Sequence, residues 1–483
     1  MENLKNSIKE NVELIKDKTG HSADVIYKYI EIGKNKLVLI FAESMVNSKV
    51  INDFILDYIN NNKFDDKKNI IDVLYQNIPI SKSNIINSVE DLLYNLYAGF
   101  VLVINNGDCR VLALESRTRL ESAIATAESE SVVKGPKDAF TENYNDNIGM
   151  IRRRIKSEEL RLEEIKVGKK GKTKVGVMYV NDIVDKELVD DIISKIKKID
   201  IDVLLGSNYV IKLITPNETN PFTNYLSTER PDRVVSYLLN GRIAIVLENA
   251  QLVSIVPIFF ADFFQSSEDY YERSINTNVT RIVRFMSFLI TLLAPAIYIA
   301  VSNYNQESIP TNLLINLAMQ RDGVPFPSVM ELFLLLGTFE IIKESNIRMP
   351  SAMGNSLSIV GSLVLGQAAV QAGVFSPMAV IVVSITVISG LIVNSLDIIN
   401  GLRFWRLVLL FLSTMFGALG VLMGIITMTI NMTSLKSFGK PYLFPIAPFY
   451  PEDQNAGLFL SDKKRFESRT SITAKKNKTR GKM

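Results

Sequence analysis

The sequence has almost no cysteine or histidine: its 483 residues include one of each, Cys109 and His21. One thiol cannot form a disulfide within the chain, and this pair leaves too few ligands for Cys/His zinc sites, iron–sulfur clusters or cysteine–histidine catalysis. The GxSxG, HExxH and kinase signatures do not occur either. We therefore expect no enzyme, no cofactor and no metal site.

The sequence also has no strong excess of either charge. It contains 54 basic and 51 acidic residues, a formal net charge of +3, which argues against a general nucleic-acid binder. The chain opens with MENLKNSIKENVELIKDKTG, which is charged and amphipathic and unlike a secretory signal. We expect the amino-terminal part to lie in the cytoplasm.

One short stretch, GKKGKT at Gly168 to Thr173, has the composition of a phosphate-binding loop. Its glycines are too close together for that loop, and the predicted strand follows the stretch where the loop would require a strand before it. We do not expect nucleotide binding there.

The first half of the sequence contains two similar units. In each, a predicted strand (Lys36 to Ser44, Lys174 to Asp182) is followed by a helical pattern and then by a hairpin signal, at Asn106-Gly107 and at Glu248 to Gln251. The offset between matching features is about 140 residues in both comparisons. We predict two α/β subdomains related by duplication. The charged stretch between them is predicted to be a helical connector. We expect its Arg152, Arg153 and Arg154 to form a solvated face or a subunit contact.

The second half is apolar from Phe285 to Ile430 and predicts a membrane region. A helix from Val329 to Ser345 carries Glu331 and Glu340, which point to opposite sides, so we place it in the interface plane or inside a bundle. Four segments are long enough to span a bilayer: Phe285 to Val301, Leu357 to Val374, Met378 to Leu396 and Leu407 to Ile430.

The positive-inside rule gives two conflicting topologies. Arg281 and Arg284 place the start of the region inside, and the basic tail places its end inside, which requires an even number of crossings. Four spans then leave Arg403 outside, whereas five spans leave the tail outside. We prefer four.

A charge-free run from Pro350 to Leu396 carries two glutamines four residues apart, Gln367 and Gln371. On a helical wheel they share a face with Val360 and Val364, while small residues cover the opposite face. An unpaired amide in hydrocarbon costs several kcal/mol, so this face needs a polar partner. One interpretation is hydrogen bonding to Glu331, Glu340 or Asn355. The other is a pore in which copies of the helix surround an axis, with a valine constriction beside a glutamine ring.

Several long blocks of the sequence resemble the A subunit of the bacterial spore germinant receptors, the GerA family. The resemblance runs from about Ala98 to Tyr450. It is carried by ESRTRLESAIATAESESVVKGPKDAFTENYNDNIGMIRRRIKSEELRLEE, KVGVMYVNDI, TERPDRVVSYLLNGRIAIV, FFQSSEDYYERS, PFPSVMELFLLLGTFEIIKESNIRMP, GSLVLGQAAVQAGVFSPMAVIVVSIT and GKPYLFPIAPF.

This resemblance implies a multi-pass protein of the spore inner membrane. It implies a homo-oligomer that forms a germinant-gated channel for monovalent cations, and two partners: a transporter-like B subunit that binds the germinant and a lipoprotein C subunit. Glu331 and Glu340 are then acids that attract cations or that lock the bundle by pairing with Arg348, Lys343 or Arg321. Alternatives are a paralogue that amplifies ion release without sensing nutrient, a transporter-like small-molecule binder, and a non-conducting scaffold.

The predicted fold is therefore an α/β part of two duplicated subdomains followed by a helical multi-pass transmembrane domain. The tail is expected to be solvated or in contact with anionic membrane lipid. We divide the chain into a first subdomain (1–125), a connector (126–169), a second subdomain (170–280), a transmembrane domain (281–450) and a basic disordered tail (451–483).

Overall fold

The structure is a computed structural model of the whole chain. It describes residues 4–32, 35–61, 69–80, 82–117, 125–127, 130, 132–215, 220–348, 366–392, 396–451, 453 and 468–480.

The chain begins with an α/β domain whose first part is built on a five-stranded sheet of order β1-β2-β4-β5-β3. All neighbouring strands are antiparallel. The strands are β1 (Val25–Ile32), β2 (Asn35–Ala42), β3 (Ser83–Ile86), β4 (Phe100–Asn105) and β5 (Val111–Glu115). The helices are α1 (Ile8–Thr19), α2 (Ser48–Val50), α3 (Asp57–Asn61), α4 (Ile70–Asn77) and α5 (Val89–Tyr97), with a π-helical turn (Ile51–Leu56) joining α2 and α3.

Helices cover both faces of this sheet. On β2, Val38 and Ile40 pack toward α1 and α5, whereas Leu37 and Leu39 pack toward α3 and α4. Successive side chains of a strand point to opposite faces, so a strand between two helical layers must be apolar at every position. This requirement explains the unbroken apolar run LVLIFA and confirms the predicted strand there.

A second five-stranded sheet follows, of order β8-β9-β11-β12-β10. Numbered within each sheet, the strand order is the same as in the first. A short pair of strands, β6 (Ala125–Thr126) and β7 (Asp138–Ala139), lies between the two sheets along the chain. The second sheet contains β8 (Leu160–Val167), β9 (Thr173–Val180), β10 (Leu226–Thr228), β11 (Ile243–Leu247) and β12 (Val253–Val256), with α6 (Tyr144–Arg154), α7 (Lys186–Lys197), α8 (Ser207–Ile214) and α9 (Pro231–Leu238).

Both predicted hairpins are present, β4–β5 and β11–β12. The stretch expected to be a helical connector instead contains α6 and the first strand of the second sheet, β8. The GKKGKT loop is the turn of the β8–β9 hairpin, which pairs Val167 with Thr173. Its glycines therefore serve a turn between strands.

A helical region follows the α/β domain, as predicted. Pro295 lies within the first of its helices. The described helices are α10 (Ser274–Ile299, extended by a π-helical segment, Ala300–Tyr304), α11 (Thr311–Arg321), α12 (Ser328–Arg348), α13 (366–371), α14 (Pro377–Ile392) and α15 (Leu396–Ser434).

Helix α15 folds back on itself at Gly417. The backbone there has φ 58° and ψ −135°, a conformation that essentially only glycine adopts. A Cβ atom built on Gly424 would lie 2.4 Å from a methyl carbon of Leu409. Residues fifteen apart in a straight helix are separated by about 22 Å, so the two halves of α15 are antiparallel neighbours.

The fold-back brings both ends of α15 to the α/β domain. At its start, the Ser227 main-chain N–H donates to the Asp397 carboxylate over 3.0 Å. Just after its end, the Ser437 hydroxyl donates to the main-chain oxygen of Asn224 over 2.8 Å. Its turn lies at the other end of the bundle, where the Tyr304 hydroxyl donates to the carbonyl of Thr414.

The chain then returns to the second sheet. Phe438 lies in the core formed by that sheet with α7 and α8. Tyr442 is fully buried, with its ring centroid 6.3 Å from that of Phe260. Residues 468–480, part of the predicted tail, also lie on this sheet unit: Ala474 pairs with Val184. Contacts to main-chain groups and to Asp185 fold this basic stretch onto the protein.

Candidate pore helix and coupling contacts

Two described helices are long and apolar enough to cross a bilayer. They are Ser274–Tyr304, with 31 residues, and Asp397–Ser434, with 38 residues; Pro377–Ile392 is apolar but shorter. The buried side chains of α10 and α15 belong to the same hydrophobic core as those of the second sheet unit. The helical region and the second sheet unit therefore form one continuously packed body.

The two glutamines of the predicted pore face lie on α13. Gln367 and Gln371 are both exposed, and neither makes a hydrogen bond within the described residues. The expected pairing with Glu331 or Glu340 is not seen. Val360, Val364 and Asn355 lie outside the described residues.

Glu331 holds the turn that follows α13. Its side chain is fully buried, and one carboxylate oxygen accepts the main-chain N–H of Ser376. The Ser376 hydroxyl in turn accepts the N–H of Ala379 over 3.3 Å at the start of α14. Glu331 therefore fixes the junction of α13 and α14 from inside the bundle and does not face solvent.

Glu340 lies at the other end of α12 and joins it to α15. It forms ion pairs with Arg403 over 3.1 Å and with Arg406 over 3.3 Å. One interpretation of the sequence paired this acid with Lys343, Arg348 or Arg321. Its ion-pair partners are instead two arginines near the start of α15, before the reversal at Gly417.

A buried carboxylate joins the α/β domain to the first long helix. Asp269 precedes α10 and accepts from Arg281 over 2.7 Å and from Arg284 over 2.8 Å. Asp269 and Arg281 are 2% and 3% exposed. Charge-assisted bonds at this depth are strong, and they fix the direction in which α10 leaves the α/β domain.

A second buried ion pair joins the two sheet units. Arg152 on α6 is fully buried and donates to Asp24 over 2.9 Å and to Ser22 over 2.9 Å. Its guanidinium lies 4.5 Å from the ring centroid of Tyr97, and burial raises the pKa of that phenol to about 12. The prediction that Arg152 belongs to a solvated face is wrong, because its partner lies 128 positions earlier in the chain.

Sequence reasoning missed the functions of Arg403, Arg406 and Asp269. Each is paired across elements that are distant in sequence or joined by a turn that no local pattern specifies. The one available signal was the charge itself: an arginine within an apolar helix needs a partner inside the bundle.

Comparisons with known proteins agree on one family. The model of the Bacillus/Clostridium GerA spore germination protein matches residues 13–472. Spore germination protein KA of Bacillus subtilis is 36% identical over 96% of this chain and 86% of its own length. The uncharacterized membrane protein YfkQ of Bacillus subtilis is 33% identical over 92% of this chain and 86% of its own length.

One solved structure is also similar. It is the N-terminal domain of the A subunit of the Bacillus megaterium spore germinant receptor GerK3, with 33% identity and a TM-score of 0.42. It covers 54% of this chain, and the match includes 98% of that structure. With nearly the whole sequence matched by the family model, this chain belongs to the GerA family of spore germination proteins.

Proposed function

We propose that this chain is the membrane-embedded A subunit of a nutrient germinant receptor. In this proposal, the α13 helices of several copies surround a central axis and form a channel for monovalent cations. The observation that carries this proposal is the exposure of Gln367 and Gln371 on an apolar stretch, without hydrogen bonds to the described residues. Amides facing hydrocarbon would be costly, so water on an axis between copies is the partner we propose.

Val360 and Val364 form the gate in this proposal. They share the glutamine face of the predicted helix and come one to three turns before the glutamines. A ring of valines can close a narrow pore by excluding water, while the glutamine ring offers oxygens to a partly dehydrated cation. Opening then requires only a small displacement of α13 in each copy.

We propose that the α/β domain lies in the cytoplasm and that five described helical segments cross the membrane. Helix α10 leaves the α/β domain, α12 and α14 run back toward it, and the two halves of α15 leave and return. This arrangement resolves the conflict in the positive-inside rule, because Arg403 and the basic tail both lie on the side of the α/β domain.

The proposed setting is the spore inner membrane, with a transporter-like B subunit and a lipoprotein C subunit as partners. The names of two relatives support a role in spore germination: they are the spore germination proteins KA of Bacillus subtilis and GerLA of Bacillus cereus. An A-type paralogue that amplifies ion release without sensing nutrient would have the same pore.

A second candidate function, binding of a small molecule, is favoured by a cavity at the far end of the bundle. The cavity has a volume of about 720 Å³. Its lining between the end of α10 and α11 includes Tyr298, Gln306, Arg321 and Asp322, a mixture that suits a zwitterionic ligand. Arg321→Gln should then change nutrient sensitivity without changing conductance through the open pore.

Planar bilayer recording of the purified full chain tests the channel. We expect cation-selective single-channel events, and we expect Val364→Ala to raise the open probability at least tenfold. Ile388→Ala, which shortens an exposed apolar side chain on α14, is the matched control and should behave as the unmodified chain. Silence in every reconstitution, with normal folding, would contradict the proposal.

A further inference from the structure

A cluster of positive charge lies between the helices at the end of the bundle nearest the α/β domain. It consists of Lys343 on α12 and of Arg403 and Arg406 on α15. Among the described residues lining the cavity between them, Glu340 is the only carboxylate. Three cations thus share one acid.

These cations are incompletely neutralised. Arg406 is 7% exposed, and its Nε atom is buried without a hydrogen-bond partner among the described residues, as is the Nε atom of Arg403. Lys343 is half-buried and makes no ion pair with the described part of the chain. Unpaired charge at this depth is costly, which indicates that an anion from outside the chain completes the cluster.

The cavity has room for such an anion. Its volume is about 110 Å³, enough for several waters, and Thr291 and Thr386 add hydroxyl groups to its lining. Arg403 is 40% exposed at its side chain, so an anion can enter from outside the bundle. Arginine guanidinium groups bind phosphate oxygens with favourable geometry.

The depth of the cluster matches a lipid headgroup. Arg403 follows Asp397, which contacts the α/β domain, by six residues, or about 9 Å of helix. Thr291 follows Arg284, at the domain junction, by seven residues, or about 10 Å. Basic pockets between helices on the cytoplasmic side of a membrane are suited to phospholipid headgroups.

We propose that Lys343, Arg403 and Arg406 form a phosphate-binding site that takes the headgroup of an anionic phospholipid. The phosphate chemistry follows from the residues alone. The lipid as its source rests on the proposed membrane topology, so a free phosphate anion is the alternative source. Glu340 limits the affinity of the site for phosphate, because it already forms ion pairs with two of the three cations.

The test uses the full chain in a neutral detergent and its single tryptophan. Trp405 is buried and lies between Arg403 and Arg406 in the sequence, so its fluorescence should report anion binding at the site. Dioctanoyl-phosphatidylglycerol, dioctanoyl-phosphatidylcholine and inorganic phosphate are titrated separately. We expect saturable binding of phosphatidylglycerol, with at least tenfold weaker binding of phosphatidylcholine.

Variants assign the effect to the cluster. Lys343→Gln and Arg403→Gln should each weaken phosphatidylglycerol binding about tenfold, whereas Glu340→Gln should tighten it, because it removes the competing acid. Lys436→Gln is the matched control: it removes one exposed charge just after α15, outside the cavity, and should change binding less than twofold. Tighter phosphatidylglycerol binding by Glu340→Gln, beside weaker binding by Lys343→Gln and Arg403→Gln, distinguishes a specific site from a general loss of folding.

The remaining outcomes identify the source or overturn the proposal. Saturable binding of inorganic phosphate that Arg403→Gln weakens, without binding of phosphatidylglycerol, supports the site with a free anion and counts against the lipid. Equal binding of both lipids, or no effect of Lys343→Gln and Arg403→Gln, overturns it. Dissociation of an oligomer by Arg403→Gln without any anion binding also overturns it, since the cations would then pair with another copy.

Discussion

The two sheet units have the same strand order but are attached to the rest of the molecule in different ways. The second shares its hydrophobic core with α10 and α15 and is joined to them by Asp269 and Asp397. The first has cores of its own and contacts the second through α6 and the Arg152–Asp24 pair. The comparison shows that the second unit is packed directly against α10 and α15, whereas the first has two hydrophobic cores that contain none of their residues.

The shared strand order also supports the proposed duplication. In both units a helix precedes two antiparallel strands, and a third strand is added at the far edge beside a hairpin. Strands β2 and β9 begin 138 positions apart, at Asn35 and Thr173.

The largest effect is expected at the junction of the second unit with α10. Asp269→Asn leaves Arg281 and Arg284 buried without their carboxylate, which should cost about 5 kcal/mol. The full chain in detergent should melt at a markedly lower temperature and lose any gating. Glu272→Gln, nearby in an exposed pair with Lys134, is the control and should change little. A melting temperature for Asp269→Asn equal to that of the control would refute the junction.

The next effect is expected at the contact between the two units. Asp24→Asn leaves Arg152 buried without its acid and should cost about 3 kcal/mol. Hydrogen exchange should then rise in β1 and α5 and stay unchanged in α10, because this pair is the buried ion pair between the two sheet units, whereas α10 is anchored by Asp269. Lys156→Gln, an exposed cation just after α6, is the control. Equal exchange in both regions would remove the distinction between the units.

A smaller effect is expected from the close approach of α6 to the first unit. A Cβ on Gly149 would lie 2.5 Å from the main-chain oxygen of Ser44. Gly149→Ala should therefore destabilise the chain by about 1–3 kcal/mol. Gly337→Ala, in a helix with open space around it, should instead stabilise by up to about 1 kcal/mol. Thermal unfolding of both variants tests this prediction: the melting temperature should fall for Gly149→Ala and should not fall for Gly337→Ala.

The smallest effect concerns residues 468–480, which lie on the second unit only. Burial opposes ionisation of Asp185, but hydrogen bonds from Lys475 and Lys440 outweigh it and lower the pKa of this carboxyl. A carboxyl whose pKa is lower in the folded state stabilises the folded state at pH values above its ordinary pKa. That stabilisation is lost as the pH falls through the pKa of the folded state. Limited proteolysis should find the segment protected at pH 5 and progressively released as the pH falls below the ordinary aspartate pKa of about 3.9. Asp185→Asn should abolish this pH dependence; release at pH 5 would contradict it.

The sequence was sufficient for elements whose pattern is local. The apolar run of β2 and the Asn106-Gly107 turn each specify their structure without help from the rest of the chain. Strand β8 lies in the charged stretch for which the sequence predicts a helical connector. It is an edge strand paired only with β9, and an edge strand tolerates charge on its exposed face.

Long-range geometry could not be predicted. Arg152 finds Asp24 only after two sheets have formed, and no spacing connects them. Gly417 looks like an ordinary glycine in an apolar helix, where glycine is common, yet its positive φ reverses the chain. The reversal brings the end of α15, and with it the chain that follows, back to the side of the α/β domain. The positions of Gln367 and Gln371 on one helix were predictable, but their lack of a hydrogen-bond partner among the described residues was not.

The central claim is that the glutamine face of α13 meets other copies around water. Cys109 is exposed and is the chain's only cysteine, so Cys109→Ser gives a background for Gln367→Cys. In reconstituted full-length protein, we expect the new thiol to react with a water-soluble, membrane-impermeant reagent added to both sides and to cross-link between copies with a short bismaleimide. Ile388→Cys, on the apolar outer face of α14, should do neither. A Gln367→Cys thiol as inert as that control, in correctly folded protein, would contradict the account.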